Sequence, residues 1–141
     1  MNAKELRIGN YIIENVETDI IGRVKGVNSY EADNTERVVY TERQTTPEEF
    51  IQPLPLTEEW LIKFRFKKYL YSYKLVPNLR NANKSRILNN KLLVEIVERQ
   101  DKFYIKLGGQ LKKEVGNVHH LQNIYFALTG EELEVVTKHK Y

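Results

Sequence analysis

The chain has 141 residues and no cysteine, carries 22 lysines and arginines against 19 acidic residues, and is 41% hydrophobic. A length of this order makes one domain or two very small ones with an ordinary core, and the lack of cysteine excludes disulfides and thiolate metal sites. The net charge of +3 hides an asymmetry: residues 1–59 hold six basic and twelve acidic groups, the stretch from Trp60 to Val94 holds nine basic and no acidic ones, and residues 95–141 hold seven of each. The opening Met1 to Glu5 carries no apolar signal segment and no run reaches the roughly 18–20 apolar residues that cross a bilayer, so the expectation is a non-exported cytoplasmic chain without a membrane partner. No repeat with a period of about 20–50 residues is present.

In chain order, Leu6 to Ile13 reads as a strand with Leu6, Ile8, Tyr11 and Ile13 inward and a bend at Gly9-Asn10. Ile20 to Val27 reads as a second strand coiled at Gly22 and Gly26, and Arg37 to Thr41 and Phe50 to Leu54 as two more. Four short strands with polar turns suit a small SH3-like barrel or a compact antiparallel sheet, and the expectation is an SH3-like β module over residues 1–56. Gln52-Pro53-Leu54-Pro55-Leu56 is a stiff exit. A short helix follows, with Thr57 as N-cap, Glu58 and Glu59 on the positive end of its dipole, and Leu56 and Leu61 spaced as a hydrophobic staple. Trp60 then reads as a core residue or an interface anchor.

Beyond it, Tyr69, Tyr71, Tyr73 and Leu75 alternate with Leu70, Ser72 and Lys74, a strand pattern, and Pro77 to Asn90 reads as a long loop. Leu92 to Glu98 and Phe103 to Leu107 form a hairpin through Arg99-Gln100-Asp101-Lys102, with Leu111 to Val115 returning beside it. Val118 to Leu128 is a helix with Val118, Leu121, Ile124, Tyr125 and Leu128 on one stripe and Gly130 as its stop, and Leu133 to Val136 closes as a strand. The expected fold class is therefore α+β, with residues 57–141 forming short helices on an antiparallel sheet.

At Glu5-Leu6-Arg7-Ile8-Gly9-Asn10, at Pro55-Leu56-Thr57-Glu58-Glu59-Trp60-Leu61, and along Val118 to Leu133 (Leu-Gln-Asn-Ile-Tyr-Phe-Ala-Leu-Thr-Gly-Glu-Glu-Leu), the chain resembles a family of small proteins encoded by phages and prophages of Bacteroidota. That family often has glycine at the position of Arg65 and glutamine at that of His120. The resemblance implies a mobile-element accessory protein acting in the bacterial host cell, of a kind that includes inhibitors of host defence such as anti-CRISPR proteins.

The residues themselves argue against catalysis. His119 and His120 are neighbours on a helix, where side chains diverge by about 100°, so they are not expected to share a site. The His-Glu-x-x-His, Gly-x-Ser-x-Gly and glycine-rich phosphate motifs are absent, and no lysine follows an acidic residue at the spacing of one common nuclease class. No cofactor or metal is expected. His120 reads as a solvated helix residue or a pH-sensitive contact.

What remains is the basic block: Lys63, Arg65, Lys67, Lys68, Lys74, Arg80, Lys84, Arg86 and Lys91, with Tyr69, Tyr71 and Tyr73 as candidate stacking residues or the inner side of a strand. Such a block suits phosphates, an acidic protein surface or the nucleic-acid channel of a nuclease, or serves as a solvated face. The expected function is a non-catalytic inhibitor that binds a host protein or protein–RNA complex, such as a CRISPR nuclease. The alternatives are a sequence-nonspecific nucleic-acid-binding protein and a phage structural component.

Overall fold

A computed structural model describes residues 1, 3–15, 20–29, 37–75, 94–108 and 110–135. Among these residues the elements form a mixed α+β structure of antiparallel sheets with two α-helices. The chain divides into two compact units, Met1–Pro55 with Asn117–Ile124, and Leu56–Gly116 with Tyr125–Tyr141.

In the first unit a 3₁₀ turn, Ala3–Glu5, leads into strands β1 (Tyr11–Asn15), β2 (Ile20–Arg23), β3 (Gly26–Ser29), β4 (Arg37–Tyr40), β5 (Thr45–Pro47) and, after a 3₁₀ turn at Glu48–Phe50, β6 (Gln52–Pro53). They pair as two three-stranded antiparallel sheets, β2-β1-β6 and β3-β4-β5. The expected single strand from Ile20 to Val27 is thus two strands in different sheets. At the break, the Val24 N–H turns to the Asn10 carbonyl (2.8 Å) and the Lys25 N–H to the Tyr40 carbonyl (2.7 Å), so the segment serves both sheets without closing a barrel among the described residues. Ala3, Leu6, Ile12, Val24, Val39 and Ile51 form the core here.

The first strand also starts later than the sequence predicts. The Asn10 N–H bonds to the Arg7 carbonyl (3.1 Å), the Arg7 N–H bonds to the Asn10 side chain (2.7 Å), and Gly9 sits at φ 98°. This turn swings Ile8 into solvent and shifts the inward set by one residue, from Tyr11 and Ile13 to Ile12 and Glu14. Glu14 is a buried carboxylate. Arg43 lies 3.6 Å from one of its oxygens, and the other has no partner among the described residues. Likewise the expected strand Phe50–Leu54 is a 3₁₀ turn followed by a two-residue strand, with Phe50 exposed.

The second unit opens with α1 (Glu58–Lys63). Thr57 caps it by accepting the Trp60 N–H at 3.3 Å, and Leu56, Trp60, Leu61 and Phe64 are all buried, so Trp60 is a core residue. The helix ends because Arg65 takes a left-handed conformation, φ 74°, directing the chain into β7 (Phe66–Lys68). Then follow β8 (Ser72–Leu75), β9 (Val94–Arg99), β10 (Lys102–Leu107) and β11 (Gln110–Glu114), in sheet order β11-β10-β9-β8-β7. The β9–β10 hairpin turns through Gln100 (φ 52°) and Asp101 (φ 64°), the two left-handed residues of a type I′ turn. Tyr73, Ile96 and Ile105 lie side by side across β8, β9 and β10 and are buried.

Helix α2 (Val118–Thr129) ends where the Gly130 N–H returns to the Phe126 carbonyl at 2.8 Å with φ 75°. Val118, Leu121 and Tyr125 are buried as its period predicts, whereas Leu128 is exposed. Within the first unit, α2 also buries two polar residues, His119 and Gln122. Residues 131–135 form no strand; Leu133 is buried without a ladder partner, and Val136 lies outside the described residues.

Candidate interaction surface

The tyrosine alternation from Tyr69 to Leu75 is a hairpin, not one strand. β7 and β8 pair with Phe66 opposite Leu75, Lys67 opposite Lys74 and Lys68 opposite Tyr73. The Tyr69 N–H closes the turn on the Ser72 carbonyl at 2.7 Å. The turn separates the three tyrosines. Tyr73 is 1% exposed and donates its hydroxyl to Glu58 at 3.0 Å, which removes it from any stacking surface. Tyr69 (47%), Leu70 (82%) and Tyr71 (76%) are displayed at the tip.

Folding also brings acidic residues back beside part of the one-signed charge block. Acids that stop at Glu59 and resume at Glu95 in sequence come back beside its lysines. Lys68 pairs with Glu58 at 2.9 Å, Lys63 with Glu59 at 3.2 Å while covering the Trp60 ring, and Lys74 lies opposite Glu95. The Lys68 hydrogen bond, with that of Tyr73, holds the Glu58 carboxyl below its ordinary pKa, and the same bond raises Lys68. Burial, reinforced by Glu58, pushes the Tyr73 phenol up.

Lys67 and Lys74 form no ion pair with any described residue. Their ammonium groups sit 5.9 and 5.1 Å from the centre of the Tyr69 ring. Arg65 is half-buried with an unpartnered Nε among the described residues. Arg80, Lys84, Arg86 and Lys91, and the expected loop that carries them, lie outside the described residues.

Pairing register puts Lys67, Lys74, Glu95, Lys106 and Leu111 in one row across the five strands, on the face opposite the buried Tyr73–Ile96–Ile105 row. Beside the tip this face holds an open groove of about 580 Å³, bounded by Tyr69, Leu70 and Tyr71 and floored by Glu95, Val97 and Lys106. It has apolar walls and charges of both signs. The sequence pointed to the tyrosines and lysines; it gave no sign of Leu70, Glu95 or Lys106, because only strand pairing brings them together.

A second constellation lies in the first unit. Glu5, His119 and His120 each place a donor atom within 4.8 Å of the others, and the two rings are 5.0 Å apart. The roughly 100° divergence of neighbouring helix positions therefore does not keep these histidines apart, because the rings reach far enough from the backbone to converge. His119 is buried and its Nε2 lies 3.3 Å from Glu5 Oε2; burial lowers its pKa against the opposing pull of Glu5.

No helix among the described residues is long and apolar enough to cross a membrane. Comparison of the chain with family models, with curated proteins and with solved structures finds no match in any of the three.

Proposed function

We propose that this is a non-catalytic phage or prophage accessory protein that acts in the host cytoplasm by occupying a host macromolecule, in the manner of an anti-CRISPR inhibitor on a defence nuclease or its RNA complex. The observation that carries the binding reading is the tip Tyr69-Leu70-Tyr71, three large side chains held out at the edge of a groove. Exposed aromatic and aliphatic anchors are how compact binding surfaces concentrate affinity. The groove supports a protein surface as the contact, because Glu95 and Glu98 line it together with Arg99 and Lys106, a mixture of signs that complements a protein surface better than a uniformly negative phosphate chain. For the first unit, a segment shared between two sheets is what an opened SH3-like module would contain, and we assign it to that class.

The test compares wild type with a Tyr69→Ala, Leu70→Ser, Tyr71→Ala triple variant. A host protein or protein–RNA complex captured by the wild type, and then reconstituted from purified components, is expected to lose at least about tenfold in affinity for the variant. Equal affinity for both proteins rejects this surface.

Nucleic acid is the second reading, favoured by Lys67 and Lys74 flanking the exposed Tyr69 ring. Anisotropy with labelled RNA and DNA at about 50 and 200 mM salt distinguishes it. Tight, steeply salt-dependent binding that Lys67→Ala, Lys74→Ala abolishes would put it first.

A further inference from the structure

The Glu5–His119–His120 cluster joins two segments of the first unit that are far apart in sequence, the Ala3–Glu5 turn and the first turn of α2. The Glu5 main chain is pinned there, since its carbonyl accepts the Asn123 side-chain N–H at 2.8 Å. Its carboxylate is half-exposed and able to swing, whereas the His119 ring is fixed by burial. The 3.3 Å between Glu5 Oε2 and His119 Nε2 is long for an imidazole–carboxylate hydrogen bond, which favours about 2.7–2.9 Å when charge-assisted. It matches the edge of a tetrahedron whose centre is about 2.0–2.1 Å from each donor, the bond length of zinc to histidine nitrogen and carboxylate oxygen. One edge of a coordination site is therefore already set. The third donor, on half-buried His120, has to close from within 4.8 Å to that same spacing.

We infer that Glu5, His119 and His120 bind one divalent transition-metal ion of the zinc class, through two imidazole nitrogens and one carboxylate oxygen, with water as the fourth ligand. A set of two nitrogens and one oxygen suits zinc, nickel or copper and disfavours magnesium and calcium, which require mostly oxygen. Affinity is limited by the outer shell. His119 Nδ1 is buried with no acceptor among the described residues, and such partners contribute about 10–100-fold. The ion would fasten the Ala3–Glu5 turn to α2 alongside the Asn123 bond, independently of the Tyr69 surface in the other unit.

The test is a titration of the full, tag-free, chelator-stripped chain with Zn²⁺ by calorimetry and with Co²⁺ by visible absorption. Expected are one-to-one micromolar binding, the absorption of four-coordinate cobalt and a rise in melting temperature with added zinc. Glu5→Gln and His120→Ala are each expected to weaken binding at least about tenfold while leaving the circular dichroism unchanged, and His139→Ala to leave binding intact. His119 is buried, so the two more accessible ligands carry the test. The absence of one-to-one binding at about 100 µM Zn²⁺ overturns the assignment, as does binding that survives Glu5→Gln with His120→Ala.

Discussion

Tyr11 donates its backbone N–H to the side-chain carbonyl of Gln122 at 2.9 Å, a partner 111 positions further along the chain. The same amide group donates to the Gly9 carbonyl at 3.0 Å, so one side chain satisfies both polar groups of the backbone entering β1. Beside it, Asn123 accepts from Asn10 at 2.9 Å and from Arg7 at 2.7 Å. Gln122→Ala leaves the Tyr11 N–H without this partner and the Gly9 carbonyl with the Arg23 Nε at 3.3 Å, and is expected to cost about 1–3 kcal/mol, measured as a lower urea midpoint. Asn123→Ala, at a less buried position, is expected to cost less.

Arg65 ends α1 in a conformation that charges a side-chain-bearing residue about 1 kcal/mol. Arg65→Gly removes that strain and is expected to raise stability by about 0.5–1 kcal/mol in chemical denaturation. Arg65→Val, whose branched side chain tolerates positive φ worse, is expected to lower it.

Gly22 lies against the buried Glu14 carboxylate, with which a Cβ would collide, and Thr41 closes off the other side. Gly22→Ala is expected to displace Glu14 from Arg43 and to cost about 1–3 kcal/mol. Gly26→Ala is the control: its Cβ would meet only Tyr40, at an ordinary 3.7 Å, and the change should stay within about 0.5 kcal/mol.

Glu58 and Tyr73 set opposite limits on pH. The Glu58 pKa is depressed, first by the Lys68 hydrogen bond and then by that of Tyr73, so its contribution to stability is present above the ordinary value of 4.5 and is lost as pH falls below it. The Tyr73 pKa is raised, first by burial, so its contribution is complete below 10 and is lost as pH rises beyond 10. Tyr125 is raised by burial as well. Ultraviolet titration of the native protein is expected to show these two tyrosines ionising late. Tyr73→Phe should remove one of them and weaken the acid dependence of unfolding.

Local chemistry was the legible part. Thr57, the burial of Leu56 and Leu61, the start and stop of α2 and the Arg99–Lys102 turn are read from neighbours within a few residues and form as expected, while the α2 stripe holds at Val118, Leu121 and Tyr125 but not at Leu128. His119, Gln122 and Asn123 escaped because a periodicity argument puts polar residues in solvent. The burial of His119 and Gln122 and the bonds of Asn123 make sense only against residues 5–11, which no local window contains. The local charge balance was hidden for a related reason: Lys63 meets Glu59 through one helical turn, Lys68 meets Glu58 between β7 and α1, and Lys74 comes opposite Glu95 by strand pairing, so acids distant in sequence lie beside these lysines in space. The inward set of β1 slipped by one because a single hydrogen-bonded turn ahead of it changes the parity of every later position.

Because the first unit takes in both Met1–Pro55 and Asn117–Ile124, it cannot be completed in the order in which the ribosome delivers it. At about 5–20 residues per second, the nascent N-terminal strands wait several seconds for the segment bearing Gln122 and Asn123. Until then Gly9, Asn10 and Tyr11 lack the partners that close the unit. A chain stopped at residue 116 is expected to be cut readily within its first 55 residues by a protease, and a synthetic peptide spanning residues 117–130 to restore protection. Assembly of the N-terminal unit is thereby timed by the synthesis of residues 117–124 rather than by that of its own strands.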